Sequence, residues 1–383
     1  MGFRFDKALT FTPNPALRFY QRDVFELPAN RLCFGFCNPE KEGSSMRKID
    51  IFNHIQPEKY FSHVQNLAAA KEGLGKRTTD KSVLRDLDGR FRLMDEFGDY
   101  QQVITVPGPQ PAVLAGPEAS PEIARIANDG MAELVRKYPD RFAGFAATLP
   151  MNNPDAAFKE AQRAIDELGA CGVEVFTNIK GKALDMPEIV PLWKIMNDYD
   201  LPIWMHPSRS ATLTDYSSEP KSRYEIWFTF GYPYETSAAM ARLVFSGLFD
   251  KFPNLKIITH HMGGMVAFSE GRVNAGWEVM GSRTSDEDYS GVLKSLKRPH
   301  GEYFKMFYAD TALFGAKAGT ECGLKYFGVD HVVFASDYPF DPVPGQFIRD
   351  TIAIVDALEI SEADRAKIYH GNAERMLKLK PRH

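Results

Sequence analysis

Five side chains that can bind a metal ion or transfer a proton stand at the ends of short aliphatic segments. They are His54, His206, His260, His261 and Asp337, in the stretches KIDIFNHIQP, LPIWMHP, IITHHMGGM and VVFASDYP. The chain contains nine histidines in all, so four in such positions form a concentrated signal. Because imidazole and carboxylate groups hold divalent ions and act as general acids and bases, the pattern predicts one site built from these residues.

Phe52 stands where metal-binding barrels often have a second ligand on the first strand. Side chains two apart on a strand point to the same face, so Phe52 is predicted to face the same cavity as His54. A phenyl ring has no lone pair and cannot bind a metal. The remaining set is His54, His206 and Asp337, which suits zinc first, with manganese or iron as alternatives. With one ligand lost, the divalent metal could also be weakly bound or absent.

The other candidates have less specific positions. His261 could be a fourth ligand, but proton transfer beside the open site is favoured. Strand alternation directs His260 away from His261, into a supporting or packing role. Arg77 and Arg209 lie in long loops and could bind a substrate carboxylate through paired hydrogen bonds, and Phe52 would also face the substrate. A solvated surface position is the alternative for each arginine.

These residues need a fold that gathers the ends of several strands. Strands are predicted at 48–51, 102–106, 142–148, 172–176, 202–205, 256–259, 306–309 and 331–335. Amphipathic helices are predicted at 84–97, 121–137, 154–168, 187–197, 234–249 and 345–357, and a final helix begins at Ser361. Alternation of strands and helices indicates a parallel sheet. In such a barrel the strand ends form the active site.

The predicted architecture is an α/β fold, a (β/α)8 TIM barrel over residues 47–383. A doubly wound open sheet is the alternative, but such folds usually carry a dinucleotide or phosphate loop, and the sequence has no GxGxxG and no complete P-loop. Residues 1–46 are rich in proline and phenylalanine. We interpret them as an N-terminal extension that wraps the barrel or reaches a neighbouring subunit. Loop insertions are expected, including an aromatic loop at 207–232 that could cover a substrate or pack between subunits.

Composition narrows the class of partner and the location. The 383 residues carry 46 basic and 50 acidic side chains, a formal charge of −4, which disfavours nucleic acid and anionic membranes. No segment approaches the ~18 to 20 apolar residues of a membrane helix, and the N-terminus lacks a signal-peptide pattern. Four sparse cysteines without a CxxC motif fit a reducing compartment. We therefore expect a cytoplasmic protein, a homodimer or higher homo-oligomer, acting on a small molecule.

From Lys48 to about Leu377 the chain resembles the amidohydrolase-related family, in the branch of aminocarboxymuconate semialdehyde decarboxylase and resorcylate-type decarboxylases. The resemblance lies in ordered motifs: KIDIFNHIQP, RFRLMDEFG, RFAGFAATLPMNNPDAA, LPIWMHP, FPNLKIITHHMGGMVAFSEGR, FYADTALFG, VVFASDYPF and YHGNAERML. It implies that His54 and His206 are metal ligands, Asp337 is a ligand or general acid–base, and His261 is the catalytic histidine. The family usually has His or Glu where Phe52 stands.

The resemblance favours nonoxidative decarboxylation of a small aromatic or unsaturated carboxylic acid. In that reaction Asp337, aided by His261, would protonate the carbon that loses CO2. A metal-dependent hydrolase or hydratase acting on a similar acid is the enzymatic alternative. A metal-free binding or scaffold subunit is a further alternative, prompted by Phe52.

Overall fold

The computed structural model describes residues 46–379, and its strands form a closed parallel barrel. The strands are β1 (Lys48–His54), β2 (Tyr100–Thr105), β3 (Phe142–Phe145), β4 (Ala147–Thr148), β5 (Val173–Phe176), β6 (Pro202–His206), β7 (Lys256–Thr259), β8 (Tyr308–Asp310) and β9 (Val332–Val333). They pair in chain order, β1 to β3 and β4 to β9, and every pair is parallel.

Two junctions join the sheet of β1 to β3 and the sheet of β4 to β9 into one ring. β3 and β4 are consecutive parts of one barrel strand, interrupted at Ala146, whose N–H donates to Ile104 O at 3.1 Å. At the other junction Ile51 N–H donates to Phe334 O at 3.0 Å, and His54 N–H donates to Tyr338 O at 2.8 Å. The predicted (β/α)8 barrel is therefore confirmed, with all eight predicted strands present.

Helices follow the strands, and the longer ones cover the outside of the barrel. They are α1 (Glu58–Val64), α2 (Gly73–Asp80), α3 (Leu87–Met94), α4 (Pro111–Leu114), α5 (Ser120–Lys137), α6 (Pro154–Asp166), α7 (Val190–Tyr199), α8 (Ile226–Thr229), α9 (Gly231–Phe245), α10 (Leu248–Lys251), α11 (His260–Gly263), α12 (Glu270–Glu278), α13 (Val292–Ser295), α14 (His300–Phe304), α15 (Lys317–Phe327), α16 (Gln346–Asp356), α17 (Glu362–Ala366) and α18 (Asn372–Leu377).

The six longer predicted helices correspond to α3, α5, α6, α7, α9 and α16, with shifted ends. Ser361 caps α17, because its side chain accepts a hydrogen bond from Asp364 N–H. Among the described helices of eight or more residues, α2, α12 and α15 were not predicted. All three have glycine among their helical residues, in GLGKRTTD, EGRVNAGWE and KAGTECGLKYF, and glycine weakens the helix signal.

Apolar side chains fill both sides of the strand layer. The inner side holds Ile49, Val103, Trp204, Ile258 and Val333, while a larger set packs between strands and helices. The Trp204 indole N–H donates to Ile51 O at 2.9 Å, so the one polar group of this buried side chain has a hydrogen-bond partner. The inner core closes the bottom of the barrel and leaves the carboxyl ends of the strands for polar residues.

Several expectations fall partly outside the described range. The N-terminal extension, apart from Met46, lies outside it, as do Cys33 and Cys37. Cys171 is buried and Cys322 is exposed, and both are free thiols. None of the helices in residues 46–379 is long and apolar enough to span a bilayer.

Glu174 on β5 is a buried acid whose titration should change the stability of the barrel. Neither of its carboxylate oxygens has a hydrogen-bond partner among residues 46–379. Burial raises its pKa to about 8. Because the folded-state pKa lies above the unfolded-state value, stability is lost as the pH rises from about 4.5 to 8.

We predict that Glu174→Gln stabilises the fold on the order of 3 kcal/mol at pH 7 and much less at pH 5, because the amide never ionises. Urea denaturation at pH 5, 7 and 9 measures the difference. The exposed Glu188 provides a control, since Glu188→Gln should leave the pH dependence unchanged. An equal loss of stability at all three pH values would show that Glu174 is ionised and paired in the folded protein.

Candidate active site

The carboxyl ends of the strands open into a cavity of about 210 Å³. It contains five of the predicted site residues within a largely aromatic wall. Its lining residues are His54, Leu74, Arg77, Thr78, Gly108, His206, Phe228, Tyr232, His261, Phe314, Asp337, Phe340 and Phe347. A larger groove of about 650 Å³ runs beside α12. That groove contains none of the five residues with metal-binding or acid–base potential, so we place the site in the smaller cavity.

His54 and Asp337 are in direct contact at the junction between the first and last strands. His54 Nε2 lies 3.0 Å from Asp337 Oδ1, and His54 Nδ1 lies 3.1 Å from Thr105 Oγ1. Asp337 has φ of 61°, in the left-handed region. Its N–H donates to Phe52 O at 3.1 Å, which holds this unusual turn against β1. The backbone strain suits a residue whose position matters for chemistry.

Asp50 and Arg90 support this contact from below, and sequence reasoning did not single them out. Asp50 accepts hydrogen bonds from Ser336 N–H at 3.0 Å, Ser336 Oγ at 2.5 Å and Tyr100 OH at 2.6 Å. Burial raises the Asp50 pKa to about 6, although these hydrogen bonds oppose the rise. Arg90 is almost fully buried and donates to His54 O at 2.6 Å. Both residues lie in motifs that carry the family resemblance, Asp50 in KIDIF and Arg90 in RFRLMDEFG.

His206 ends β6 and faces the cavity as a neutral imidazole. Its Nδ1 lies 2.7 Å from Pro207 O, and burial, followed by the proximity of His54 and His260, lowers its pKa well below the ordinary value. Donation from Nδ1 to the carbonyl leaves a lone pair on Nε2. The ring centre of His206 is 5.6 Å from that of His54.

His261 reaches the cavity because the chain leaves the strand geometry directly after His260. His261 and Met262 both have φ of 55°. Asp310 Oδ1 holds this turn by accepting hydrogen bonds from His261 N–H at 2.8 Å and Ala312 N–H at 3.1 Å. His261 Nδ1 lies 2.7 Å from Ala312 O. Asp310 therefore orients the turn that presents His261 at the cavity.

Phe52 lies beneath the cavity, among the rings of three histidines. Its ring stacks on His260 with centres 3.5 Å apart, and it meets His54 at 4.6 Å and His206 at 5.6 Å. Phe52 is fully buried and is not among the residues that line the cavity. Phe52 therefore packs against His54 but does not face the cavity. Its predicted contact with substrate is not supported, because a fully buried ring cannot touch a molecule in the cavity.

The two candidate arginines are placed differently. The Arg77 guanidinium lies 4.8 Å from the Phe340 ring centre and 5.2 Å from that of Phe228, and it donates to Phe340 O at 3.3 Å. Arg209 is not a lining residue. It pairs with Glu235 at 2.7 Å, so its predicted role in substrate binding lacks support in this structure.

The donor types around the cavity suit a divalent ion, although no closed ligand set stands ready. His54, His206 and Asp337 supply two imidazoles and one carboxylate, and each histidine has Nδ1 engaged by another group, as metal-binding histidines usually do. Across residues 46–379, no three His, Cys, Asp or Glu side chains are grouped closely enough to enclose an ion as they stand.

The chain is similar to known decarboxylases over most of its length. It is 34% identical over 314 residues to a gamma-resorcylate decarboxylase of Polaromonas sp., covering 78% of this chain and 90% of the relative. It is 28% identical over 357 residues to the 2-amino-3-carboxymuconate-6-semialdehyde decarboxylase of Dictyostelium discoideum, covering 87% and 92%.

The same likeness holds in three dimensions. A crystal structure of a dihydroxybenzoic acid decarboxylase from Polaromonas sp., with bound manganese and the inhibitor 2-nitroresorcinol, superposes with a TM-score of 0.69 at 28% identity, covering 87% of this chain and 97% of that one. The family model described as Amidohydrolase matches residues 51–379. The chain therefore belongs to the amidohydrolase family, in the branch that includes the aminocarboxymuconate semialdehyde and resorcylate decarboxylases.

Proposed function

We propose that this protein is a nonoxidative decarboxylase of a small, singly charged aromatic carboxylic acid. One observation carries the proposal: Arg77, His261 and Asp337 share one small cavity with aromatic walls. A cation, two proton-transfer groups and flat apolar surfaces are what such a substrate needs. Membership of a branch whose relatives are decarboxylases supports this reaction over hydrolysis or hydration, and over a binding or scaffold role.

Arg77 is the proposed anchor for the substrate carboxylate. Among the described residues that line the cavity it is the only lysine or arginine. Its position between Phe340 and Phe228 fixes the guanidinium plane, which favours paired hydrogen bonds to a carboxylate. The surrounding rings would stack on or against the substrate ring.

Asp337 is the proposed acid. A proton passes from its carboxyl group to the ring carbon that bears the carboxylate, and the bond from that carbon to CO2 then breaks. The electron pair of the broken bond returns to the ring, so no oxidant or reductant is needed. His54, in contact with Asp337 at 3.0 Å, holds the acid in place, and His261 supports proton transfer from the other side of the cavity.

A divalent ion is part of the proposal, with His54, His206 and Asp337 as its holders. Such an ion supplies positive charge that polarises the carboxylate and an adjacent oxygen of the substrate. The donor set in the sequence favours zinc, but the manganese in the Polaromonas structure favours manganese here. Phe52 leaves one ligand position without a donor, which should make the ion easier to exchange.

A cytoplasmic location and a homo-oligomeric state also belong to this proposal. Two free thiols among the described residues support a reducing compartment. Large exposed apolar side chains support association of subunits, including Tyr224, Phe268, Tyr216 and Phe230.

We predict that incubation with a panel of dihydroxybenzoates releases CO2. Reaction in D2O should place one deuterium on the product carbon, and reaction in 18O-water should add no heavy oxygen, because a decarboxylase takes a proton from solvent and no oxygen. Mass spectrometry of the product measures both. Heavy oxygen in the product without CO2 would replace this proposal by hydrolysis or hydration.

Asp337→Asn should lower kcat by about 100-fold or more, the usual contribution of a general acid, because an amide cannot supply the proton. Steady-state kinetics with the best substrate of the panel measure this loss, and substrate binding should persist. A variant with kcat close to that of the wild type would remove Asp337 from the acid role.

Arg77→Met should raise KM about 10- to 100-fold, because a hydrogen bond to a charged group contributes roughly 1.5 to 3 kcal/mol. Arg209→Met is the matched control, since Arg209 pairs with Glu235 away from the cavity lining. It should change KM by no more than about twofold. The reverse ranking of the two variants would move the carboxylate site to Arg209.

A further inference from the structure

His260 is a buried histidine for which the proposed reaction has no use. It is fully buried, and its Nε2 has no hydrogen-bond partner among residues 46–379. One ring face is covered by Phe52, with centres 3.5 Å apart and planes within 16°. A buried polar atom without a partner costs folding free energy, so an unfilled Nε2 beside three other site residues calls for an explanation.

Asp310 determines which nitrogen of His260 is available. Its Oδ2 lies 2.6 Å from His260 Nδ1, and burial of the imidazole lowers the His260 pKa although Asp310 opposes the change. A neutral ring that donates from Nδ1 to the carboxylate has its lone pair on Nε2. This carboxylate–histidine arrangement is the usual support of a metal-binding imidazole.

His260 also lies within the ring cluster that contains the candidate ligands. Its ring centre is 5.7 Å from that of His206, close to the 5.6 Å between His206 and His54. We propose that His260 Nε2 is a ligand of the divalent ion. It replaces the donor that position 52 lacks, where the family usually has His or Glu. The inference rests on the divalent ion of the proposed function.

In this arrangement Phe52 has a positive role as the surface that holds the His260 ring. Stacking on Phe52 fixes the plane of the imidazole, and the contact with Asp310 fixes how the ring is turned within that plane. The two contacts leave His260 with one accessible orientation, which lowers the entropy lost when an ion binds. Because Phe52 provides no donor, the ion depends on His260 more than it would with a histidine or glutamate at position 52.

Manganese binding to the purified full-length protein tests the inference without any substrate. Electron spin-echo spectroscopy of the Mn2+ complex counts coordinated imidazole nitrogens, and titration followed by electron paramagnetic resonance gives the Kd. The wild type should show three imidazoles. His260→Gln should show two and bind Mn2+ at least about 10- to 100-fold more weakly, because that is the loss for removing an outer partner of a ligand and removal of a ligand should cost no less.

Two more variants separate a ligand from a structural histidine. Asp310→Asn retains an oxygen that can accept from the His261 and Ala312 N–H groups, but its amide would donate to His260 Nδ1 and move the imidazole proton to Nε2. It should therefore also lose one imidazole signal. Phe52→His combined with His260→Gln should regain both the third imidazole and the wild-type Kd, because the donor returns to position 52.

His331 is the matched control. Its ring stacks on Tyr308 with centres 4.5 Å apart and its Nδ1 lies 3.0 Å from Phe307 O, but it precedes β9 at the opposite end of the barrel. His331→Gln should leave the Kd and the imidazole count unchanged.

Two results would overturn the inference, and they are distinguishable. Two imidazoles in the wild type, with a Kd unaffected by His260→Gln, would leave the ion with His54, His206 and Asp337 and leave the proposed decarboxylase intact. No Mn2+ binding by the wild type would remove both His260 and the divalent ion from the site. Release of CO2 in the presence of a chelator would then show whether decarboxylation proceeds without the ion.

Discussion

The buried carboxylate of Asp50 joins the first strand of the barrel to the loop after the last one. It receives four hydrogen bonds: two from Ser336 and one from Tyr100 at 2.5 to 3.0 Å, and one from Phe52 N–H at 3.4 Å. His54 and Asp337 lie 283 residues apart in the chain and meet only because this junction closes. Arg90 strengthens the same junction by donating to His54 O. The proposed acid and its neighbour are therefore consequences of barrel closure.

Buried carboxylates organise the rest of the site as well. Asp310 supports the left-handed turn that carries His261 and binds His260 through its second oxygen. The pKa of each buried acid depends on its hydrogen-bond partners. Asp310 accepts from three groups, and these partners, chiefly His260, lower its pKa despite burial. Glu174, without such partners, has a raised pKa. Asp50 also accepts several hydrogen bonds, but burial raises its pKa because none of its partners is an imidazole that could share a proton with it. The His260 ring therefore distinguishes Asp310 from the other two buried acids.

Aromatic rings contact both the proposed carboxylate anchor and the histidine cluster. Phe340 and Phe228 contact Arg77 at the cavity wall, the site proposed for the substrate carboxylate. Phe52 lies below, excluded from the cavity, and contacts His54, His206 and His260. A phenyl ring at this position removes one donor but confines a histidine that the sequence alone places in a supporting role. The consequence for metal binding depends on the position of one nitrogen, Nε2 of His260.

The sequence determined the fold class, the family, and the three histidines and the aspartate that line the cavity. Strand and helix periodicity are local, and barrel strand ends converge by rule, so His54, His206, His261 and Asp337 could be named from their positions after aliphatic segments. The tertiary structure decided what depends on contacts between distant segments: Arg77 lines the cavity while Arg209 pairs with Glu235. It also placed Phe52 on His260 and revealed Asp50 and Arg90 as supports. Those outcomes depend on burial and on the partner of each polar atom, and neither is encoded in the spacing of residues along the chain.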